Sequence, residues 1–526
     1  MSSRVNRRGF LTLVAGSAAG AVLASCGPTP TPVPPTATPV PPTPTKPPAT
    51  AAPAAPTATP VPPTATKPPA PTPTKPAEAI AIRWWDQFLP LVPLHKKLWE
   101  AYSQKHPNVT VQYTQYTPED LGKALQLAYP NKQAPDVHSL AGIGLPVSAL
   151  IKENWFTPLE SYVTAEWKKR LPAGTFVEGI TMFGGKAYSF PLFSFRQHTT
   201  LNWFNKDLLT EAGYDPEKGI TTWDEFRTAA QKITKKGEGK VFGWIQGIQF
   251  IERNAAHLSD LAQVAGAPGG INWETGEYTY HTDPYANAVE FLVSLARDGS
   301  LFPGSTSLNA RTARARWVTG VAGMFFDGPW NIGVLKTDYA AFMDKTGVAD
   351  VPVPNAGQAA YIHVSPAGGV FWISRQSKDP QVCAAILQLL TTEEYYIGLA
   401  ERMDQPPLDL AAVEKANVHP TYKKAMIFYK NRVRLQPDPV VRNPAVAQVY
   451  AEMTPVRPNL GEIVQGAITG DLKDFKAALK DYSSKTSAER ERALKIAQGK
   501  GAKVTLDDWV FANWEPDKDY TSDMYR

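Results

Sequence analysis

The stretch Gly184 to Leu209, GGKAYSFPLFSFRQHTTLNWFNKDLL, constrains the fold more than any other part of the chain. Gly184-Gly185 supplies a turn, the run from Phe193 to Phe204 has the β-branched and aromatic composition of a strand, and a helix opens after it. Arg196, Gln197 and His198 interrupt the strand, where a strand inside one continuous core stays apolar on at least one face. Two readings fit: a crossing between two lobes with its polar residues near the gap, or an edge strand with a solvated face. A chain of 526 residues also exceeds a single core, which stops growing near ~250–300 residues, so at least two packed units are expected.

The N-terminus reads as a sorting signal. Asn6-Arg7-Arg8-Gly9-Phe10-Leu11 resembles the twin-arginine export motif, and the apolar run Leu11 to Leu23 is too short for a mature membrane span. Leu23-Ala24-Ser25-Cys26-Gly27 resembles the bacterial lipobox, so residues 1–26 are expected to be a signal peptide with Arg7 and Arg8 as the export signal and Cys26 as the lipidated residue. With Cys26 acylated, Cys383 has no disulfide partner and is expected to be a small buried hydrophobe in the helical pattern Val382 to Leu387. Residues 27–77 are rich in Pro, Thr, Ala and Val through Pro76 and hold no aromatic residue, a composition that cannot bury a core. They are expected to form a disordered tether, reaching up to ~150 Å at ~3.1 Å per residue of polyproline II. A spacer through a cell-wall layer, a glycosylated stalk and a plain linker all fit it.

The net charge of +5 owes everything to six cations in these segments, Arg4, Arg7, Arg8, Lys46, Lys67 and Lys75; without them +5 falls to −1. A nearly neutral folded region argues against nucleic acid as a partner, because phosphate binding needs a concentrated basic surface.

From Glu78 the pattern alternates strand and helix. Ala79 to Trp85 reads as a strand, Leu94 to Tyr102 as an amphipathic helix and Val109 to Tyr113 as a second strand. Thr117-Pro118-Glu119-Asp120 opens another helix, and Ala134 to Leu140 is a third strand. Such alternation makes an α/β sheet, largely parallel, whose ligands bind off the carboxyl ends of its strands. Two loops should therefore face one crevice, Trp85-Asp86-Gln87 and Ser139 to Leu145; which of Trp84 and Trp85 points into it depends on register.

Several segments in order resemble one family: Tyr102-Ser103-Gln104-Lys105-His106-Pro107-Asn108-Val109, Ala134-Pro135-Asp136-Val137, Asn205-Lys206-Asp207-Leu208-Leu209, Thr222-Trp223-Asp224-Glu225-Phe226 and Gly323-Met324-Phe325-Phe326-Asp327-Gly328-Pro329-Trp330. Together they are similar to the family 1 extracellular solute-binding proteins, relatives of the maltose-binding protein, over about Ile80 to Pro407. The resemblance implies an α/β, two-lobe, periplasmic-binding-protein-like (type II) fold with an interlobe cleft and hinge crossovers. It implies crossings at Pro191 to His198, at Ser365 to Ile373, where Gly368 and Gly369 allow close backbone approach, and near Arg402 to Pro407. The first lobe is then expected at 78–196 plus 366–404, and the second at 197–365 plus 405–526 with a C-terminal helical extension. Trp330 is implied to stack on a sugar; Trp85, Asp86, His138, Gln197, Gln249, Gly368 and Asp404 complete the expected ligand-binding set. The partners implied are a small solute, an ABC permease and, through the lipid, the membrane. The protein is expected to be a monomer outside the cytoplasm, anchored to the cell membrane.

Enzyme signatures are missing from the mature sequence. Gly179 to Ala187 falls short of a phosphate loop, and neither His-Glu-x-x-His, Cys-x-x-Cys nor Gly-x-Ser-x-Gly occurs. His138 and His198 could meet across the cleft, and Asp86, Asp136 and Asp327 could approach one another, which keeps a glycoside hydrolase open as an alternative beside a structural surface lipoprotein. No catalytic residue, metal or cofactor is assigned. Leu472 to Gln498 reads as a helix of mixed charge, and the aromatic end Trp509 to Trp514 should dock on the body.

Overall fold

The computed structural model describes residues 78–171 and 175–525. The signal residues Arg7, Arg8 and Cys26 and the tether at 27–77 lie outside them. Everything below belongs to one compact unit that begins at Lys75.

Two four-stranded sheets organise the body. In the first, Ile80–Asp86 lies between Val109–Gln115 and Val137–His138, parallel to both, and Trp372–Ile373 adds an antiparallel edge beside Val137–His138. Alternation sets its faces: Ile82, Trp84 and Asp86 are buried, whereas Arg83 and Trp85 are only half-buried on the other side. The expected strand at Ala134–Leu140 shrinks to Val137–His138, because Ser139 to Gly144 peel away from the sheet towards the cleft.

The helices form where the sequence caps them. Thr117 accepts a hydrogen bond from the Asp120 amide at 3.1 Å, with Pro118 in the first turn of Pro118–Ala128. In the second lobe Thr222 and Glu225 close a reciprocal capping box on Trp223–Lys236. Phe226, Ala229, Ala230 and Ile233 form the buried stripe of that helix, and Phe226 stacks on Phe326 of the sheet, ring centroids 4.9 Å apart.

The second sheet runs Phe242–Ile245, Ala322–Asp327, Leu201–Asn205, Thr346–Ala349, with Leu201–Asn205 antiparallel to both of its neighbours. The strand expected from Phe193 begins only at Leu201. The residues before it instead make a short crossing: Ser194 N–H donates to the Pro406 carbonyl (2.9 Å) and Leu408 N–H to the Leu192 carbonyl (2.8 Å). The polar break at Arg196 to His198 sits just beyond this pair, where the chain leaves one sheet for the other. Glycine serves the second crossing at Gly369, where a Cβ would collide with the Ser189 side chain; at Gly368 a Cβ would meet nothing within 4 Å. The close approach expected of both glycines belongs to Gly369.

The tail docks as expected, through Trp509, Phe511, Trp514 and Tyr520, all buried against the second lobe. The segment ahead of the tail reaches the first lobe. Val446–Glu452 packs on Val147–Lys152, Lys152 pairs with Glu452 at 2.7 Å, and Val440 fills the space a side chain at Gly179 would need. No described helix is long and apolar enough to cross a membrane.

Candidate functional site

The loops that leave the strands' carboxyl ends enclose a cleft between the lobes. Its inner chamber, about 200 Å³, is walled by Gln87, Phe88 and Gly142 from the first lobe and by Arg253, Arg311 and Trp330 from the second. An outer chamber of about 440 Å³ shares Gln87, Phe88, Ala141 and Gln405 with it and continues along Ser194, Gln197 and Ser365 to Gly369 at the crossings. Small-molecule sites run ~300–1,000 Å³, so the two joined chambers suit a solute of a few rings or fewer.

Strand geometry decides who faces this space. Asp86, expected on the cleft wall, is fully buried. Its carboxylate accepts from Tyr113 O–H (2.8 Å), the Phe88 amide (3.0 Å) and Trp84 Nε1 (3.1 Å), with His95 Nδ1 at 3.4 Å. A carboxylate so enclosed shapes the turn that presents Gln87 and Phe88 and has no free face for a ligand. His138 is likewise fully buried, with Nε2 2.6 Å from Tyr129 Oη and Nδ1 2.8 Å from the Ser139 carbonyl; burial pushes its pKa down to about 4. It is a neutral strut in the first lobe. Trp84 fills the first core, while Trp85 turns to the opposite face and packs on Tyr116, ring centroids 5.2 Å apart, rather than on the cleft. Sheet pleating thus hands the cleft to the loop residues one or more positions beyond each strand.

His138 and His198 do not meet. His198 is buried in the second lobe, its Nε2 3.2 Å from Asp350 Oδ1. Asp136 accepts from the Arg83 amide at 2.8 Å within the first sheet, so Asp86, Asp136 and Asp327 are each held by their own surroundings.

Four expected residues do reach cleft space. Trp330 and Asp404 line the inner chamber; Gln197 and Gly368 line the outer one. Gln197 Nε2 donates to Gln405 Oε1 (3.0 Å) and the Ser194 carbonyl (3.2 Å), and its Oε1 is buried without a partner. Asp404 is 2% exposed and its Oδ2 also lacks a partner. Burial, with Asp86 nearby, pushes its pKa up to about 7. Gln249 stands apart, exposed beside a rim pocket with Glu119, Gly142 and Asn309.

Trp330 is fixed from below. Its Nε1 donates to Asp327 Oδ1 (2.8 Å), and the ring lies over Gly328, where a Cβ would strike it. The Arg253 guanidinium sits 4.5 Å from the ring centroid, a cation–π contact that takes up part of the platform expected for a sugar. Asp327 is the hub. It also accepts from the Gly328 amide (2.9 Å) and Arg314, and at 3.5 Å from Arg253.

The arginines are what sequence reading missed. Arg311 and Arg314 stand three apart on Ala310–Arg316, which places both on one helical face, and an Asn309–Thr312 capping box starts that helix at the cleft. The spacing was visible; the face was not. Arg311 spans the cleft, donating to the first-lobe carbonyls of Gln87 (3.0 Å) and Tyr116 (2.9 Å).

Two sheets with separate cores, crossing segments between them and a polar cleft lined from both sides define a two-lobed solute-binding protein. The chain belongs to the bacterial extracellular solute-binding protein family, whose family model matches residues 91–397. It is similar to the sn-glycerol-3-phosphate-binding periplasmic protein UgpB of Brucella melitensis, with 24% identity over 403 residues that cover 72% of this chain and 84% of the relative. Agrobacterium fabrum UgpB is 23% identical over 425 residues, 76% of this chain and 88% of the relative. Among solved structures, a Thermotoga lettingae ABC transporter solute-binding protein bound with alpha-D-tagatose superposes with a TM-score of 0.59 at 17% identity, covering 81% of this chain and 99% of that one. Maltose-bound MalE3 of T. maritima gives 0.59 at 20%, covering 77% and 99%. These structural likenesses bear on the fold. Members of the family are extracytoplasmic binding proteins, and this chain is a solute receptor of that kind.

Proposed function

We propose that the protein is a membrane-anchored receptor that captures a small hydroxylated solute, a sugar or related polyol, by lobe closure and delivers it to an ABC importer. The observation that carries this is the polar cleft lined from both lobes and bounded by the crossings at Leu192 to Ser194 and Val364 to Val370. The ligands named for the relatives, glycerol 3-phosphate, tagatose and maltose, are all small and hydroxylated, which supports the class. We assign Trp330, Asp404, Gln197 and the Gly368 backbone to ligand contact, and place the lobe boundaries at 196/197, 365/366 and 404/405. The anchor is the acylated Cys26, with the tract at 27–77 as spacer. A monomer suffices, since one chain supplies both walls of the cleft.

A ligand shifts the lobes only by its differential affinity for the closed form. A thermal-shift screen over sugars, polyols and their phosphates should find a compound that raises the melting temperature and is recovered unchanged. Small-angle scattering should then show a smaller radius of gyration with that compound. Turnover of the compound would instead support a cleft hydrolase, and no ligand from the screen would speak for a structural lipoprotein. Cys26→Ala should release the protein from membranes or leave it unprocessed; normal retention would remove the anchor from this account.

A further inference from the structure

The inner chamber holds more positive charge than its own residues neutralise. Arg253, Arg311 and Arg314 all line it, and behind them stands one fully engaged carboxylate, Asp327, shared by Arg314 and, at 3.5 Å, by Arg253. Arg311 is given only neutral acceptors by hydrogen bonding: the Gln87 and Tyr116 carbonyls and Gln115 Oε1. Asp404 is the one acid among the chamber's lining residues, and burial with Asp86 close by leaves it only partly ionised at neutral pH. Glu119, at the rim, feels both Arg253 and Arg311, but burial raises its pKa too, and one of its oxygens is unpartnered. Burial pulls the pKa of Arg253 and Arg311 down; Asp327, Glu119 and Asp260 oppose it at Arg253, and Glu119 and Asp338 at Arg311, but none of these acids lines the chamber.

A guanidinium closed away from water without an anion is costly. A neutral sugar would leave that cost in place on lobe closure. An oxyanion would remove it, because two guanidinium forks match the oxygens of a phosphate or carboxylate. The outer chamber has the complementary character, with Ser139, Ser194, Ser365, Gln197 and Gln405 offering hydroxyls and amides to an uncharged polyol.

Building on the receptor reading above, we propose that the solute is an anionic polyol or sugar whose phosphate or carboxylate lies between Arg253 and Arg311. Its hydroxyls face the serine and amide side chains of the outer chamber, Ser139, Ser194, Ser365 and Gln405.

Titration calorimetry on the full-length protein with matched pairs tests this: sn-glycerol 3-phosphate against glycerol, and glucose 6-phosphate and glucuronate each against glucose, with inorganic phosphate and maltotriose beside them. The anionic member of at least one pair should bind tenfold or more tighter than its parent. Comparing the phosphate with the glucuronate arm tells which oxyanion the site takes. Arg253→Gln should erase most of that preference while Arg253→Lys keeps part of it, both checked for fold by thermal melts. Parents binding as tightly as their anions, or maltotriose binding while every anion fails, would overturn the anion site and leave the receptor standing. Inorganic phosphate matching its esters would overturn the polyol half. Failure of every compound to bind would overturn this proposal together with the receptor reading.

Discussion

Asp404 shows at the residue scale how burial turns an acid into a pH-dependent liability. Its folded pKa of about 7 lies above the ordinary 3.8, so between those values the folded state holds a proton that the unfolded chain has released. Stability therefore falls as pH rises from about 4 to 7, by on the order of 4 kcal/mol for this group alone, and stays level above. Asp404→Asn should flatten that slope, measured as denaturant melts from pH 4 to 8. An unchanged slope would mean that Asp404 is already ionised in the folded protein. Trp330 makes the opposite case, a ring fixed by Asp327 and covered in part by Arg253. Trp330→Ala should weaken solute binding about tenfold or more and cost less than the ~3–5 kcal/mol typical of a core tryptophan, since it is only half-buried. Calorimetry and melts on the same variant separate these effects; intact affinity with a large loss of stability would make the ring structural.

At the scale of elements, neighbouring glycines in the second crossing carry different loads. Gly369 faces the Ser189 side chain, whose Oγ donates to the Phe371 carbonyl at 2.6 Å, whereas Gly368 opens into the outer chamber. Gly369→Ala should cost about 1–3 kcal/mol by overpacking, and Gly368→Ala should leave stability within about 0.5 kcal/mol. Urea melts of the two variants check this, and equal effects would show that the crossing can relax around a methyl group. Sequence pattern identified helices through their starts and apolar stripes, as at Thr117–Asp120 and Leu94 to Tyr102, because those signals are local. It overestimated the strands: Phe193 to Thr200 has strand composition but no strand partners, since the neighbour available there is only the short 406–408 segment.

At the scale of the molecule, the tail from Leu506 onward closes apolar surface that the body does not cover by itself. Phe511 N–H donates to the Trp273 carbonyl at 2.5 Å, Tyr520 N–H to the Leu435 carbonyl at 2.8 Å, and Trp514 meets the His363 ring edge to face. Four buried aromatic side chains at ~1.5–3 kcal/mol each make a large fraction of a typical folding free energy. Truncation after Thr505 should lower the melting temperature by many degrees and increase binding of a hydrophobic dye; a melt within a degree or two of the full chain would show that the tail is dispensable.

The sequence by itself determined what local chemistry can write: alternating strand and helix, a helix start such as Thr117–Asp120, and the loops at the strand ends, beside an N-terminal motif that resembles a lipobox. The ordered segments quoted above were enough to indicate the family. Tertiary structure decided which side chains own the cleft. Alternation along Ile80–Asp86 sends Asp86 inward to Tyr113 and Trp84, and Val137–His138 buries His138 beside Tyr129, so Gln87 and the Ser139–Gly142 loop face the cleft in their place. Arg253 and Arg311, far apart in sequence, line one chamber only because the fold brings the starts of Ile251–Val264 and Ala310–Arg316 to the cleft. Charge at a site is a sum over space. No window along the chain contains the terms of that sum, which is why three guanidiniums and one carboxyl lining a single chamber were invisible until the lobes were folded.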